Sequence, residues 1–451
     1  MPAPSLDIAA LDRAFVWHPC TQMKDHELLP PAEITRGDGI YLFTRDGHRI
    51  IDAISSWWVN LLGHAHPRLS RVLAEQAATL EHVIFAGFTH APGAQLAAAL
   101  CHAFPGGAAK CFFADCGSAA VEVALKMSFQ FWKQSGYPRK TRFATITGAY
   151  HGETIGALSA GAIPLYRDIF TPILLDVITV QGPQCFRCPY RLSRTTCDAE
   201  CFEHMQRALN AHADVLAAVC IEPLVQCANG MNIYSPRYLA KLAHACRAHN
   251  VHLIADEIAV GFGRTGRLFA SQHAAVRPDF MCLSKGLTGG YMPGAAVLIR
   301  DQHIFDAFYG DYTECKAFYH SHSYTGNPMA CRLALEVLDI LQHDVLPNLA
   351  PSIAAMNRVL QRLAPLPHVG ETRQCGMIGA IELVEDRATR RAFPPAARTG
   401  WHVYREALRR GALLRPLGDV IYFLPPLTIT PDQLDELGAI AYDAIATVTR
   451  S

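Results

Sequence analysis

Short apolar, β-rich runs alternate with helical stretches along most of this chain, and that alternation limits its fold more than any other feature. The runs fall at Ala109–Ala114, Arg142–Thr147, Leu216–Ile221, Val251–Ala255, Phe280–Leu283 and Ala295–Ile299. Among them and after them, Ala119–Gln134, Arg237–His249 and Ala330–Gln342 read as helices. Strands separated by helices return to the same sheet edge to edge. The order therefore predicts an α/β fold around a doubly wound, mostly parallel sheet.

The two chain ends read differently. Residues 38–54 hold two β-rich runs around Arg45-Asp46-Gly47, and Asp-Gly is a strong hairpin signal. Beyond about Leu346, strand-like Gly379–Val384 and Val420–Leu424 flank a helix at Gly400–Arg410. This predicts a large unit over 66–340 and a smaller α+β unit over 341–451, joined by an N-terminal segment, 1–65.

Composition narrows the function classes. Of 451 residues, 50% are hydrophobic and 18% charged, enough for a sizeable core and too apolar for a disordered chain. Lys plus Arg and Asp plus Glu are 40 each, so no basic surplus points to nucleic acid or an anionic membrane. There is no apolar run of the roughly 18 residues a spanning helix needs. Met1 to Asp7 show no basic stretch followed by an apolar one, so no secretory leader is expected. The 15 cysteines are odd in number and scattered, which predicts reduced thiols and a cytoplasmic protein.

Several residues could carry chemistry. Lys285 follows the strand-like Phe280–Leu283, at the edge where open α/β sheets bind ligands. A lysine drawn out of water there becomes a usable amine nucleophile; the plainer alternative is an exposed loop lysine. Asp256-Glu257 close another apolar strand, and one of the two could hold a protonated ring nitrogen. Cys116-Gly117-Ser118 join a strand to a helix, a turn suited to a phosphate or to an ordinary cap. Tyr150 follows a third strand and could stack on a flat ring. Of the adjacent Trp57 and Trp58, one suits the core and the other a substrate pocket. Arg415 could clamp a carboxylate or form a surface ion pair. Gly261 to Gly266 match G-x-G-x-x-G, but the acids precede the glycines and no long helix follows, so dinucleotide binding is disfavoured. Cys185, Cys188, Cys197 and Cys201 have a spacing near that of zinc sites, though it is irregular and favours metal-free thiols.

Together these signals fall in the order of a pyridoxal-phosphate site, and the chain resembles the class III aminotransferases of fold type I. The resemblance rests on Gly117-Ser118 through Glu122, Tyr150-His151-Gly152, Glu222-Pro223, Asp256-Glu257 through Gly266, and Ser284-Lys285-Gly286. It implies pyridoxal 5'-phosphate as cofactor, Lys285 as Schiff-base lysine and proton carrier, and Asp256 as partner of the ring nitrogen. It also implies Gly117 and Ser118 at the phosphate, Tyr150 against the ring, and a homodimer in which Ser323 reaches the neighbouring subunit's phosphate. Gly152, Glu222, Trp57 and Arg415 would face substrate. Trp17-His18-Pro19-Cys20, Ser55 to Trp58, and Arg415-Pro416 ahead of Ile421 to Pro426 are similar to a narrower group. Its members aminate 8-amino-7-oxononanoate in biotin synthesis with S-adenosylmethionine as donor. Two positions depart from that group: Cys20 stands where a tyrosine is usual, and Glu153 where an aspartate is frequent. They leave lysine open as the donor, and other ω-amino acid or diamine substrates remain the alternative.

Overall fold

The computed structural model describes residues 7–450. Most of the leader reading and the first residues of segment 1–65 lie outside those residues. In chain order the strands are β1 Ile34–Asp38, β2 Tyr41–Thr44, β3 Arg49–Ile51, β4 Lys110–Ala114, β5 Arg142–Ile146, β6 Val177–Val180, β7 Leu216–Ile221, β8 Val225–Gln226 and β9 Asn232–Ile233. They continue as β10 His252–Asp256, β11 Phe280–Leu283, β12 Ala295–Ile299, β13 Val369–Cys375, β14 Ile378–Leu383 and β15 Val420–Phe423.

Seven strands form the central sheet in the order β4-β12-β11-β10-β7-β5-β6. The strands from β11 through β6 are parallel neighbours, while β12 runs antiparallel to both β11 and β4. The reversal follows from the short link between β11 and β12, which holds only a brief 3-10 helix at Lys285–Thr288. A parallel return needs a crossover of about a dozen residues or more. Strands β7 and β10 are buried along their whole length, as expected of strands covered by helices on both faces.

The chain ends build two further antiparallel sheets, β1-β2-β3 and β13-β14-β15. The expected hairpin forms between β2 and β3, with Gly47 at φ +86° in its turn. Ile51 then donates to Gly411 (2.8 Å) and accepts from Leu413 (2.9 Å), and Leu424 donates to Ala53 (2.8 Å). The N-terminal hairpin is thus stitched to the last hundred residues. Among the described residues no helix is long and apolar enough to cross a membrane.

Candidate active site

The carboxyl ends of five central strands deliver the predicted residues to one place. β4 leads into the helix Gly117–Gln134, whose N-terminus no side chain caps. Its first N–H groups and the positive end of its dipole are therefore available to an anion. β5 leads to Tyr150, β7 to Glu222, β10 ends on Asp256, and β11 leads to Lys285. Gly117, Ser118, Tyr150, Gly152, Glu222, Asp256 and Lys285 line a cavity of about 170 Å³, together with Trp58 and His151.

Lys285 has φ +35°, an uncommon backbone state for a side-chain-bearing residue. Burial lowers the proton affinity of its amine, against the pull of Asp256, which favours the neutral nucleophile. Asp256 is only 4% exposed. Its Oδ1 accepts from the N–H of Ile258 (3.1 Å), and its Oδ2 pairs with His151 Nδ1 (2.7 Å).

The adjacent acid does different work. Glu257 accepts from the N–H groups of Ala270 (2.6 Å) and Ser271 (2.7 Å) and from the Ser271 hydroxyl (2.6 Å). It clamps the glycine-rich loop that follows it, and burial pushes its carboxyl up to about 7. Glu222 is also raised by burial to about 7, and accepts from the N–H groups of Tyr150 (3.0 Å) and Cys227 (3.1 Å). Glu222 thus orders two loops beneath the cavity.

Gly152 sits at φ +122°, and a Cβ there would collide with Ser118 Oγ, so the position requires glycine. The Tyr150 hydroxyl donates to Glu153 (3.0 Å), and its ring meets Tyr166 edge-on.

Ser55, Ser56, Trp57 and Trp58 all have positive φ, between +44° and +74°. Such a left-handed turn costs L-residues about 1–2 kcal/mol each, and the surroundings hold it in place. Ser55 donates to the Leu424 carbonyl (2.7 Å), Ser56 Oγ to Asp52 (2.7 Å), and Trp58 Nε1 to the Tyr422 hydroxyl (3.1 Å). The turn separates the two tryptophans. Trp58 is 5% exposed and faces Lys285, whereas Trp57 is 43% exposed and lies outside the cavity.

The Arg415 guanidinium stacks 4.8 Å from the Trp57 ring and donates to the Cys20 carbonyl (2.9 Å). The Cys20 thiol in turn lies 3.9 Å from Glu153. Trp57, Arg415, Cys20 and Glu153 therefore form a chain of contacts ending at Tyr150. Ser323 is exposed and away from the cavity. Among the described residues no cluster of His, Cys, Asp or Glu could hold a metal, and Cys185, Cys188, Cys197 and Cys201 are all free thiols. The G-x-G-x-x-G segment opens no long helix; its Arg264 is buried and donates to the carbonyls of Pro425 and Trp58.

Sequence reasoning did not assign Trp58, His151 or Arg264. Trp58 carried a signal in its pairing with Trp57, and His151 in its place between Tyr150 and Gly152. Arg264 lay within the motif ending at Gly266, but its role was hidden because its partners are backbone carbonyls far away in sequence.

Comparison with known proteins agrees with this geometry. The family model for class III aminotransferases matches residues 22–445. The adenosylmethionine-8-amino-7-oxononanoate aminotransferase of Geobacter sulfurreducens is 44% identical over 97% of each chain. The crystal structure of the enzyme of that name from Methanocaldococcus jannaschii superposes with a TM-score of 0.92, at 35% identity over 98% of each chain. An omega transaminase from Pseudomonas jessenii, solved in complex with PMP, gives 0.93 at 30% identity, again over 98% of each chain.

Proposed function

The chain belongs to the class III aminotransferases, and from that premise we propose that it aminates 8-amino-7-oxononanoate to 7,8-diaminononanoate, with S-adenosylmethionine as donor. The observation that carries this reading is near-full-length similarity to enzymes named for that reaction, joined to Lys285 and Asp256 facing one cavity. The product belongs to biotin synthesis.

Class III aminotransferases use pyridoxal 5'-phosphate, and the cavity residues suit it. The uncapped helix N-terminus at Gly117 and Ser118 fits a phosphate, Asp256 a protonated ring nitrogen, Tyr150 a ring face and Lys285 an aldehyde. When bound, the cofactor supplies an electron sink and stores the amino group between half-reactions. The Lys285 amine would hold the cofactor's aldehyde and, when free, would carry a proton from and back to the substrate carbon. The Asp256 carboxylate would face the ring nitrogen, and the Trp58 ring packs against the Lys285 amine. Arg415 takes a substrate carboxylate beside Trp57, while Gly152 and Glu222 shape the substrate side.

Glu153 supplies negative charge for a cationic donor, which suits a sulfonium and an ammonium alike. The small Cys20 favours lysine as a second reading of the donor. Ser323 is read as reaching the cofactor phosphate of a second copy in a homodimer, and its exposed place away from its own cavity supports that. We likewise read 66–340 as the cofactor-binding unit and the two chain ends as the smaller one, a division supported by the Ile51–Gly411 and Ile51–Leu413 hydrogen bonds. The test is to incubate purified enzyme with 8-amino-7-oxononanoate and each donor, and to identify the product by mass. A product carrying no second amino group with any donor would reject the reading.

A further inference from the structure

A second cavity, of about 280 Å³, opens at the edge of the central sheet opposite the active site, and no residue lines both. His252 at the start of β10, Asp279 just before β11 and Arg300 just after β12 border it. β10 runs from His252 here to Asp256 at the active site, a span of roughly 13 Å at the rise of a strand. The floor is aromatic: Phe131, Trp132 and His252 pack together and are buried, and Tyr137 stands edge-on to Trp132 at 5.4 Å, half exposed. His252 is 5% exposed; its Nδ1 bonds the Ser128 hydroxyl at 2.9 Å, and its Nε2 has no hydrogen-bond partner among the described residues. The mouth is cationic. Among the described residues Asp279 is the one carboxylate lining the cavity, and both its oxygens are engaged, by Arg300 (2.8 Å) and by the N–H of Leu253 (2.7 Å). Arg247 and Arg277 are exposed and have no acid partner among the described residues; Arg277 donates only to the carbonyls of Gly106 (3.3 Å) and Gly107 (3.1 Å). The larger groove beside the N-terminal hairpin makes the contrast, because its Arg45, Arg49 and Arg409 are held by Glu33, Glu436 and Glu406.

We propose that this cavity binds a mononucleotide, with the base on the aromatic floor and the phosphate held by Arg247 and Arg277. Size sets the first limit. Pockets for drug-sized ligands start at about 300 Å³, so this one takes a base with one sugar and excludes a dinucleotide. Chemistry sets the second. A nucleobase carries donors and acceptors on its edge, which suit His252 Nε2 and the Asn250 side chain that also lines the cavity. A hydrocarbon ring would leave both without a partner. The Tyr137 ring supplies a surface for a flat group to lie against. The guanidinium fork matches phosphate oxygens, and neither Arg247 nor Arg277 has to give up a carboxylate to meet one.

The test is titration calorimetry on the holoenzyme with adenosine monophosphate, adenosine and inorganic phosphate. Adenosine monophosphate should bind once per chain. Adenosine and phosphate should each bind at least about tenfold more weakly, since each keeps only part of the contacts. Arg247→Gln removes a charge that pairs with nothing in the fold and should weaken the nucleotide about tenfold; adding Arg277→Gln should bring the loss to about 100-fold. Ala243→Leu fills the cavity from the helix Pro236–Ala248 and leaves every charge in place, so it should abolish binding. Melting of each variant without nucleotide shows that it is folded. Arg415→Ala, at the active site, should leave the affinity unchanged. An absence of saturable heat with the wild-type protein would overturn the proposal. So would binding that Arg415→Ala removes, or binding that stays within about twofold of wild type in both Arg247→Gln and Ala243→Leu.

Discussion

The Lys285 ammonium lies 4.9 Å from the centre of the Trp58 ring, and the Trp58 indole is anchored through Nε1–H to the hydroxyl of Tyr422. A lysine from the middle of the chain therefore rests on an aromatic from its beginning, which a tyrosine near its end holds in place. A cation over an indole gains about 0.5–2 kcal/mol. Burial pulls the other way and prevails, so Lys285 is poised below an ordinary lysine.

Lys285→Ala removes both the anchoring amine and the proton carrier. Turnover should fall by at least about 10⁴-fold. Borohydride treatment of the wild-type holoenzyme should fix the cofactor on the peptide containing Lys285, as mass spectrometry would show. A label on a different lysine would refute the assignment.

Asp256→Asn keeps the shape of the side chain and removes its charge. Cofactor should still bind, while the first half-reaction slows by about 10²-fold or more. Stopped-flow absorbance with either donor measures this directly, and near-wild-type rates would make Asp256 a structural residue.

Cys20 occupies a strained backbone position, φ +47°, with its carbonyl on Arg415 and its thiol toward Glu153. A tyrosine there would add buried area and a hydroxyl beside the donor. Cys20→Tyr should hold or improve the apparent affinity for S-adenosylmethionine. Single-turnover spectra with each donor in turn provide the check. Rapid conversion by lysine and none by S-adenosylmethionine would reverse the choice of donor.

His252 gives a stability prediction with a definite sign. It is buried beside Phe131, Trp132 and Phe280 and pairs with Ser128 Oγ at 2.9 Å. Burial, with Arg300 nearby, lowers its pKa from 6.5 to about 3. The unfolded chain therefore binds the extra proton first. Stability from this group is present above pH 6.5 and is lost as the pH falls toward 3, by about 2 kcal/mol between pH 6.5 and 5. His252→Phe should flatten the decline in Tm over that interval, and an unchanged slope would show that another group sets it.

The cysteines at 185, 188, 197 and 201 should need no metal. Among the described residues no three His, Cys, Asp or Glu side chains, these four thiols included, come together as a metal's ligands would. Elemental analysis should find no stoichiometric zinc, and a chelator should leave activity and Tm unchanged. One zinc per chain, with unfolding on chelation, would contradict this.

The sheet was legible because its strands announce themselves locally. Leu216–Ile221, Phe280–Leu283 and Ala295–Ile299 have the same limits in sequence and structure. The direction of β12 was not legible, because apolar content says nothing of which way a strand runs; the short link before it decides. The places of Lys285 and Asp256 at strand ends were legible, and the structure brings both to one cavity; the roles expected of them came from the family resemblance. The division of labour between Asp256 and Glu257 was not, since it depends on Ser271 and His151, which are distant in sequence. The same holds for Trp58, whose burial comes from a left-handed turn that only Leu424, Tyr422 and Asp52 together keep in place.

That turn also sets a timetable for the newborn chain. The Ser55 hydroxyl finds its acceptor 369 residues later, at Leu424. At ribosomal speeds of roughly 5–20 residues per second, that partner emerges about 20–75 s after Ser55 itself. Throughout that wait Ile50, Ile51, Ile54, Trp58, Leu61 and Leu62, all buried in the finished fold, have no C-terminal surface to cover them. The aromatic wall behind Lys285 is therefore among the last parts to close. A truncated or stalled chain presents a sticky hydrophobic segment to chaperones instead of a pocket, and translation must reach its final thirty or so residues before catalysis can begin.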